Sequence, residues 1–303
     1  MKVGFVYDDI FLTHETPRGH PERKERLISI VNALKSSPLW DQLTHIKPRK
    51  ATLEELEMVH SHSYVEKIKE LRQGYLDPDT YLSKGSFEAA LYAAGAVIEA
   101  IDRCRNGELR RVFCAVRPPG HHAERDRAMG FCIFNNIAVG VRYAQKIGYR
   151  KVFVIDFDVH HGNGTQHIFE DDDTVYYFST HQYPHYPGTG RESETGQGRG
   201  KGFTTNVPMP YGSGDDKYFS TYNNVLPELM KQFSPDLVLV SAGYDIREED
   251  PLSGIEVSDE GIRNIVRGTL SYPAPAVFTL EGGYNLDALS RSVVITIEEM
   301  MKD

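Results

Sequence analysis

Short runs of β-branched and aromatic residues recur along this chain of 303 residues with helix-length stretches between them, and that alternation constrains its fold more than any other feature. Val3 to Tyr7, Arg111 to Val116, Lys151 to Ile155, Val175 to Ser179, Leu237 to Ser241 and Ala276 to Leu280 read as strands. Pro21 to Lys35 opens on proline and sets Leu27, Ile30, Val31 and Leu34 on one stripe, and Ser86 to Cys104 begins on a candidate capping serine. Asn136 to Ile147, closed by Gly148, is a third helix, followed by Lys217 to Gln232, Asp259 to Thr269 and Leu286 to Met301. Strands separated by helices of this length form βαβ units. They predict one α/β domain over residues 1–303, with a largely parallel sheet between helical layers. No linker-like break or repeat divides it.

In such sheets, ligands bind beyond the carboxyl ends of the strands. Four predicted strands end in unusual polar runs: Arg117 to His122, Asp156 to Gly164, Ala242 to Asp245, and Glu281 to Asn285. Along extended backbone Asp158 and His160 share a face, with Asp156 one step deeper, and a carboxylate beside an imidazole suits zinc or another first-row divalent ion. The plainer reading is a polar strand end whose aspartates cap the next helix, but so many crowded polar groups would be costly to desolvate. Asp245 would complete an Asp, His, Asp set that leaves positions open, although taken alone it could equally cap a helix. His121 and His122 follow a proline-stiffened turn and can serve as base and acid, with Asp156 and Asn163 available to orient them. Tyr284, carried on Gly282 and Gly283, can place a phenol where a carbonyl oxygen gains charge. These parts suit metal-assisted hydrolysis of an amide by attack of a metal-bound water. The chain carries no GxSxG elbow, HExxH helix or P-loop.

A formal charge of −9 and a pI near 5.8 argue against a nucleic-acid surface and tolerate a cationic substrate. Cys104, Cys114 and Cys132 lack both disulfide density and CxxC pairing, so core packing in a reducing setting is expected of them. No run approaches the roughly 20 apolar residues of a membrane span, and the N-terminus does not read as a signal peptide. A cytoplasmic protein without membrane or nucleic-acid partners is the expectation.

The chain resembles the histone deacetylase superfamily, which includes acetylpolyamine amidohydrolases and bacterial acetoin-utilisation deacetylases. The likeness rests on His20 to Arg23, Arg117 to Ala123, Gly130 to Asn136, the run after Ile155, Tyr186 to Gly190, Ser241 to Asp245 and Glu281 to Tyr284. It implies a three-layer arginase-like fold, zinc (with iron(II) as an alternative) on Asp158, His160 and Asp245, and His122 as general base and acid with His121 as its electrostatic companion. It implies Tyr284 on the carbonyl, and a narrow tunnel for an acyl-lysine-like chain lined by Gly130, Phe131, Tyr186 and Gly283, with Leu252 at its mouth and Arg26 near an inner cavity. Structural potassium is implied on the carbonyls of Asp156, Asp158, His160 and Thr180 with the Ser179 hydroxyl, and a second ion around Phe169, Asp172, Val175 and Phe203. Asn163 resembles the class II pattern, Tyr186 stands where phenylalanine is commoner, Leu252 lacks the carboxylate of a polyamine-selective member, and Asp77 or Asp79 is the candidate rim aspartate.

The implied substrate is an acetylated lysine in a protein or peptide, or an acetylated small amine such as a polyamine. An arginase-type ureohydrolase would need more carboxylates for two metals. A silent acyl-lysine reader would have lost Tyr284 or a ligand. Among the other histidines, His45, His60, His62 and His167 read as surface or helix-end residues, and His14, His181 and His185 as loop residues near the mouth.

Overall fold

Apolar side chains fill every position of the central runs Val152–Ile155, Leu237–Val240 and Ala276–Phe278, and all are buried, as a parallel sheet covered on both faces requires. A computed structural model of the chain describes residues 1–302. Its strands, in chain order, are β1 (Val3–Val6), β2 (Thr44–Ile46), β3 (Gly74–Tyr75), β4 (Tyr81–Leu82), β5 (Arg111–Cys114), β6 (Val152–Asp156), β7 (Val175–Gln182), β8 (Thr204–Met209), β9 (Leu237–Ala242) and β10 (Ala276–Leu280). Eight of them form one parallel sheet in the order β2-β1-β5-β10-β9-β6-β7-β8, and β3 pairs only with β4.

Helices cover both faces. Glu25–Lys35 packs on Leu286–Met301, which packs on Asp259–Thr269; Ser86–Arg105 packs on Asn136–Lys146 against the other side. The result is a single α/β domain of three layers.

Register decides where the polar loops emerge. Val6, Cys114, Thr279, Ser241, Asp156, Ser179 and Asn206 lie in one row across seven strands. Loops leaving β5, β6, β9 and β10 therefore begin at a common level, on the carboxyl rim that the sequence points to.

Several expectations are corrected. The first helix begins at Glu25 rather than Pro21, because Glu22 turns inward to a buried pairing with Arg117 and Arg26. Ser86 is not the cap: Gly85 holds that place, and the Ser86 hydroxyl instead accepts the Ser83 N–H at 2.7 Å. The segment read as one helix over Lys217–Gln232 runs from Asp215 to Phe233 and contains a π turn at Thr221–Val225, next to Pro227, which has no N–H to continue the regular ladder. The edge strands β2 and β8 escaped the sequence reading, being short or threonine-rich and, in β8, interrupted by Pro208.

Candidate active site

After Asp156 the chain leaves the sheet in a series of local turns. Asp156 Oδ1 accepts the Asp158 N–H at 3.1 Å, and Asp158 Oδ1 accepts the His160 N–H at 2.9 Å. The carboxylates thus fold the segment by hydrogen-bonding two residues ahead, so strand alternation is not what brings Asp158 and His160 together. Their approach is nonetheless close: His160 Nδ1 lies 3.1 Å from Asp158 Oδ1 and 3.2 Å from Asp245 Oδ2.

Asp158, His160 and Asp245 each turn a ligand atom inward, all within 4.8 Å of one another and all buried. Asp158 Oδ2 accepts the Gly282 N–H at 2.7 Å, and Asp245 Oδ1 accepts the Val159 N–H at 3.0 Å. Asp245 Oδ2 is buried with the His160 ring nitrogen 3.2 Å away but not directed at it as a hydrogen bond. An orphaned carboxylate oxygen beside an imidazole nitrogen and a second carboxylate is what a cation would satisfy. Glycine keeps the space clear: a Cβ on Gly282 would collide with Asp245 Oδ2 and Asp158 Oδ2, and one on Gly243 with Asp158. One imidazole and two carboxylates form a donor set that fits a divalent first-row ion.

Electrostatics point the same way. Burial and the charge of Asp158 push the Asp245 carboxyl up to about 7. Burial alone would lower His160, but Asp158 and Asp245 overrule it and raise the ring to about 10. Crowding thus favours a protonated Asp245 carboxyl and a charged His160, whereas a dication would favour the ionised carboxylate and the neutral imidazole.

His121 and His122 stand beside this set, their ring centroids 4.0 Å apart. His121 Nδ1 lies 3.0 Å from Asp156 Oδ2, and His122 Nδ1 lies 2.8 Å from Asn163 Oδ1. The partners separate their protonation. Burial would lower His121, but the carboxylates of Asp156, Asp158 and Glu281 raise it to about 10, while burial and the neighbouring His121 and His160 hold His122 well below the ordinary range. The sequence assigns Asp156 and Asn163 to these two rings, and the structure places them there.

A cavity of about 240 Å³ opens above, walled by Gly130, Phe131, Tyr186 and Leu252, with His122, His160, Gly282 and Tyr284 deeper in. Tyr186 packs edge-on to His122 at 5.3 Å, and Phe131 edge-on to Tyr284 at 5.9 Å. Asp79, not Asp77, lines the cavity; Asp77 Oδ1 instead accepts the N–H groups of Asp79 and Thr80. Burial and the adjacent Asp77 carboxyl raise Asp79 to about 6. Gly282 lines the cavity where Gly283 had been expected. Gly283, at φ +116°, instead turns the loop and offers its carbonyl to Arg26 Nε at 2.7 Å. Arg26 is spent on that loop: it also donates to the Glu281 carbonyl at 2.5 Å and sits 5.0 Å from the Tyr284 ring centre. A larger hollow of about 430 Å³ along His14–Glu25 gathers no comparable set among the described residues.

Of the residues expected around potassium, Ser179 is aligned with Asp156 across β6 and β7, and its hydroxyl lies 2.8 Å from His181 Nδ1. Around the second position, the carbonyls of Phe169, Asp172 and Phe203 each accept a backbone N–H, from Asp172, Val175 and Tyr177 respectively.

The sequence reading missed two supporting acids. Asp250 Oδ2 accepts the Tyr284 N–H at 2.6 Å while its Oδ1 accepts the Leu252 N–H at 3.0 Å, joining two loops of the cavity. Glu124 takes the amide of Asn163. His60 is buried rather than superficial: it accepts the Asn135 N–H at 2.9 Å, and burial lowers it to about 4. His14 is also buried, bonded to Ser86 at 2.6 Å, and His181 is buried against the Gly190 carbonyl. Of the three histidines expected in loops near the mouth, His181 lies within β7 and only His185 adjoins the site, stacked on His160 at 5.1 Å. The cysteines are free and buried, as expected of packing residues.

The chain is similar to known proteins over nearly its whole length. A histone deacetylase domain model matches residues 20–300. A probable deacetylase of Archaeoglobus fulgidus is 36% identical over 296 residues, covering 95% of this chain and 82% of its own. Histone deacetylase 5 of Arabidopsis thaliana is 36% identical across 100% of the chain, which spans only 49% of that protein. A crystal structure of the HDA15 HD domain superposes with a TM-score of 0.95 at 36% identity, covering 99% of this chain and 91% of that one.

Proposed function

The chain belongs to the histone deacetylase domain family, whose hydrolytic deacetylase activity it shares in general terms, and from that premise we propose that it is a zinc-dependent deacylase acting on acyl-lysine-like amines. One observation carries the reading: Asp158, His160 and Asp245 converge, with the buried Asp245 Oδ2 lacking a hydrogen-bond donor, and His160 faces a cavity that is also lined by His122 and Tyr284.

A divalent ion held by those three residues would supply Lewis acidity toward water and the acyl carbonyl. His122, neutral and fixed by Asn163, takes the proton of the attacking water and returns it to the departing amine. His121 stays charged beside it through Asp156 and stabilises negative charge. Tyr284 remains a protonated phenol, because burial pushes its pKa well above the ordinary value, and donates to the carbonyl oxygen as charge develops there. Phe131 and Tyr186 clasp the methylene stem of the amine. Asp79 at the mouth accepts a hydrogen bond from the substrate backbone.

The test is acetate release from an acetyl-lysine peptide by zinc-loaded protein, beside a panel of acylated small amines. Turnover of at least one substrate, abolished by chelation, is expected. No turnover of any amide with zinc fully bound would reject the reading and favour a non-catalytic reader.

A further inference from the structure

A neutral histidine can act as a base only through the ring nitrogen that carries no proton, so the tautomer of His122 must be set by what surrounds it. Asn163 alone does not set it. Its amide can turn over, offering either oxygen or nitrogen to His122 Nδ1, with little change in shape.

The next residue outward removes that freedom. Asn163 Nδ2 donates to Glu124 Oε1 at 2.6 Å. A carboxylate can only accept, so the amide nitrogen must face Glu124 and the amide oxygen must face His122. That oxygen in turn only accepts, so His122 Nδ1 carries the hydrogen and Nε2 is left basic on a ring that lines the cavity. The remaining acceptors near Asn163 Nδ2 hold the amide less firmly: the His122 carbonyl is 3.4 Å away, long for an N–H···O bond, and Met129 Sδ, also at 3.4 Å, is a weak thioether acceptor. Glu124 is itself steadied from outside by His167 Nδ1 at 2.9 Å, on a ring 40% exposed.

We propose that Glu124 is a positioning residue that locks the Asn163 amide and, through it, the proton-accepting tautomer of His122. This rests on His122 being the general base. A glutamine in place of Glu124 could donate to Asn163 Oδ1 and let the amide turn, so that Asn163 donates to His122 Nδ1 and the hydrogen moves to Nε2, the wrong atom for a base.

Nitrogen-15 NMR of histidine-labelled, zinc-loaded protein reads the tautomer directly. The wild-type chain should show His122 protonated at Nδ1 and bare at Nε2; the opposite tautomer there overturns the proposal whether or not any variant folds. Glu124→Gln should shift His122 toward the Nε2–H form and lower kcat by about tenfold, with KM and zinc content unchanged. Adding Asn163→Asp to that variant should restore both tautomer and rate, since the introduced carboxylate would accept from His122 and from the introduced glutamine amide together. An E124Q variant that keeps the wild-type tautomer contradicts the proposal, even if it is slow. Because the NMR readout does not depend on turnover, an absence of deacylase activity with the tautomer shift intact would reject the function proposed above and leave the role of Glu124 standing.

Discussion

Tyr284 illustrates how much of this site depends on single atoms. Its loop is pinned through its own backbone N–H to Asp250 and its ring lies under Arg26, so removing the hydroxyl should leave the loop in place. Tyr284→Phe is expected to cut kcat by about 10²-fold or more with zinc content unchanged by elemental analysis; near wild-type turnover would remove Tyr284 from the oxyanion role. Asp245→Ala removes the orphaned oxygen and should weaken zinc affinity by about 10²-fold or more in a chelator competition, whereas unchanged affinity would take Asp245 out of the ligand set. At this scale the sequence is most readable where one residue type has one chemical use at a strand end, as for Asp158, His160 and the two histidines of the β5 loop. Glu124, Asp250 and buried His60 were not legible, because their partners Asn163, Tyr284 and Asn135 are distant in sequence and only the packed loops bring them within reach.

Two elements carry predictions of opposite kind. Gly282 opens the loop after β10 with no left-handed φ to satisfy, so alanine fits its backbone; what forbids alanine is the pair of carboxylates its Cβ would strike. Gly282→Ala should therefore retain the far-ultraviolet dichroism of the fold yet bind zinc poorly, and normal zinc binding would show that the cradle can yield. On the outer layer, Glu299 of the Leu286–Met301 helix accepts from Arg263, Arg267 and Lys302. Burial alone would raise its pKa, but these three cations overrule it and hold the carboxyl at about 2, below its ordinary value of 4.5. A depressed folded-state pKa contributes stability that is present above about 4.5 and is lost as pH falls through about 2. Glu299→Gln should lower Tm at pH 7 by about 2 °C, for roughly 1 kcal/mol in a domain of this size, with the difference narrowing steadily below pH 4.5. A constant difference across that range would mean the network is not electrostatic. Elements were legible where the hydrophobic period was strong, as in β10, whose bounds match the sequence reading. They were not where tertiary pairing overrides composition, as in β2 and β8, or where Glu22 is drawn inward ahead of the first helix.

Across the whole molecule, one row of strand ends feeds four loops onto a single rim. A parallel α/β sheet, inferred from alternation, points to that rim once it is read together with the polar runs that follow its predicted strands. Buried groups whose crowding a cation relieves couple the site to global stability: zinc at 100 times its dissociation constant should stabilise the fold by about 2.7 kcal/mol, seen as a rise in Tm of roughly 5 °C. The chelated protein should show none of it. The most direct test is a zinc titration of chelated protein that follows acetate release from an acetyl-lysine peptide. The rate should climb from zero to a plateau at one ion per chain, and Asp245→Ala should stay flat over the same range; turnover by the metal-free chain, or none at full zinc occupancy, would contradict a single catalytic ion at Asp158, His160 and Asp245.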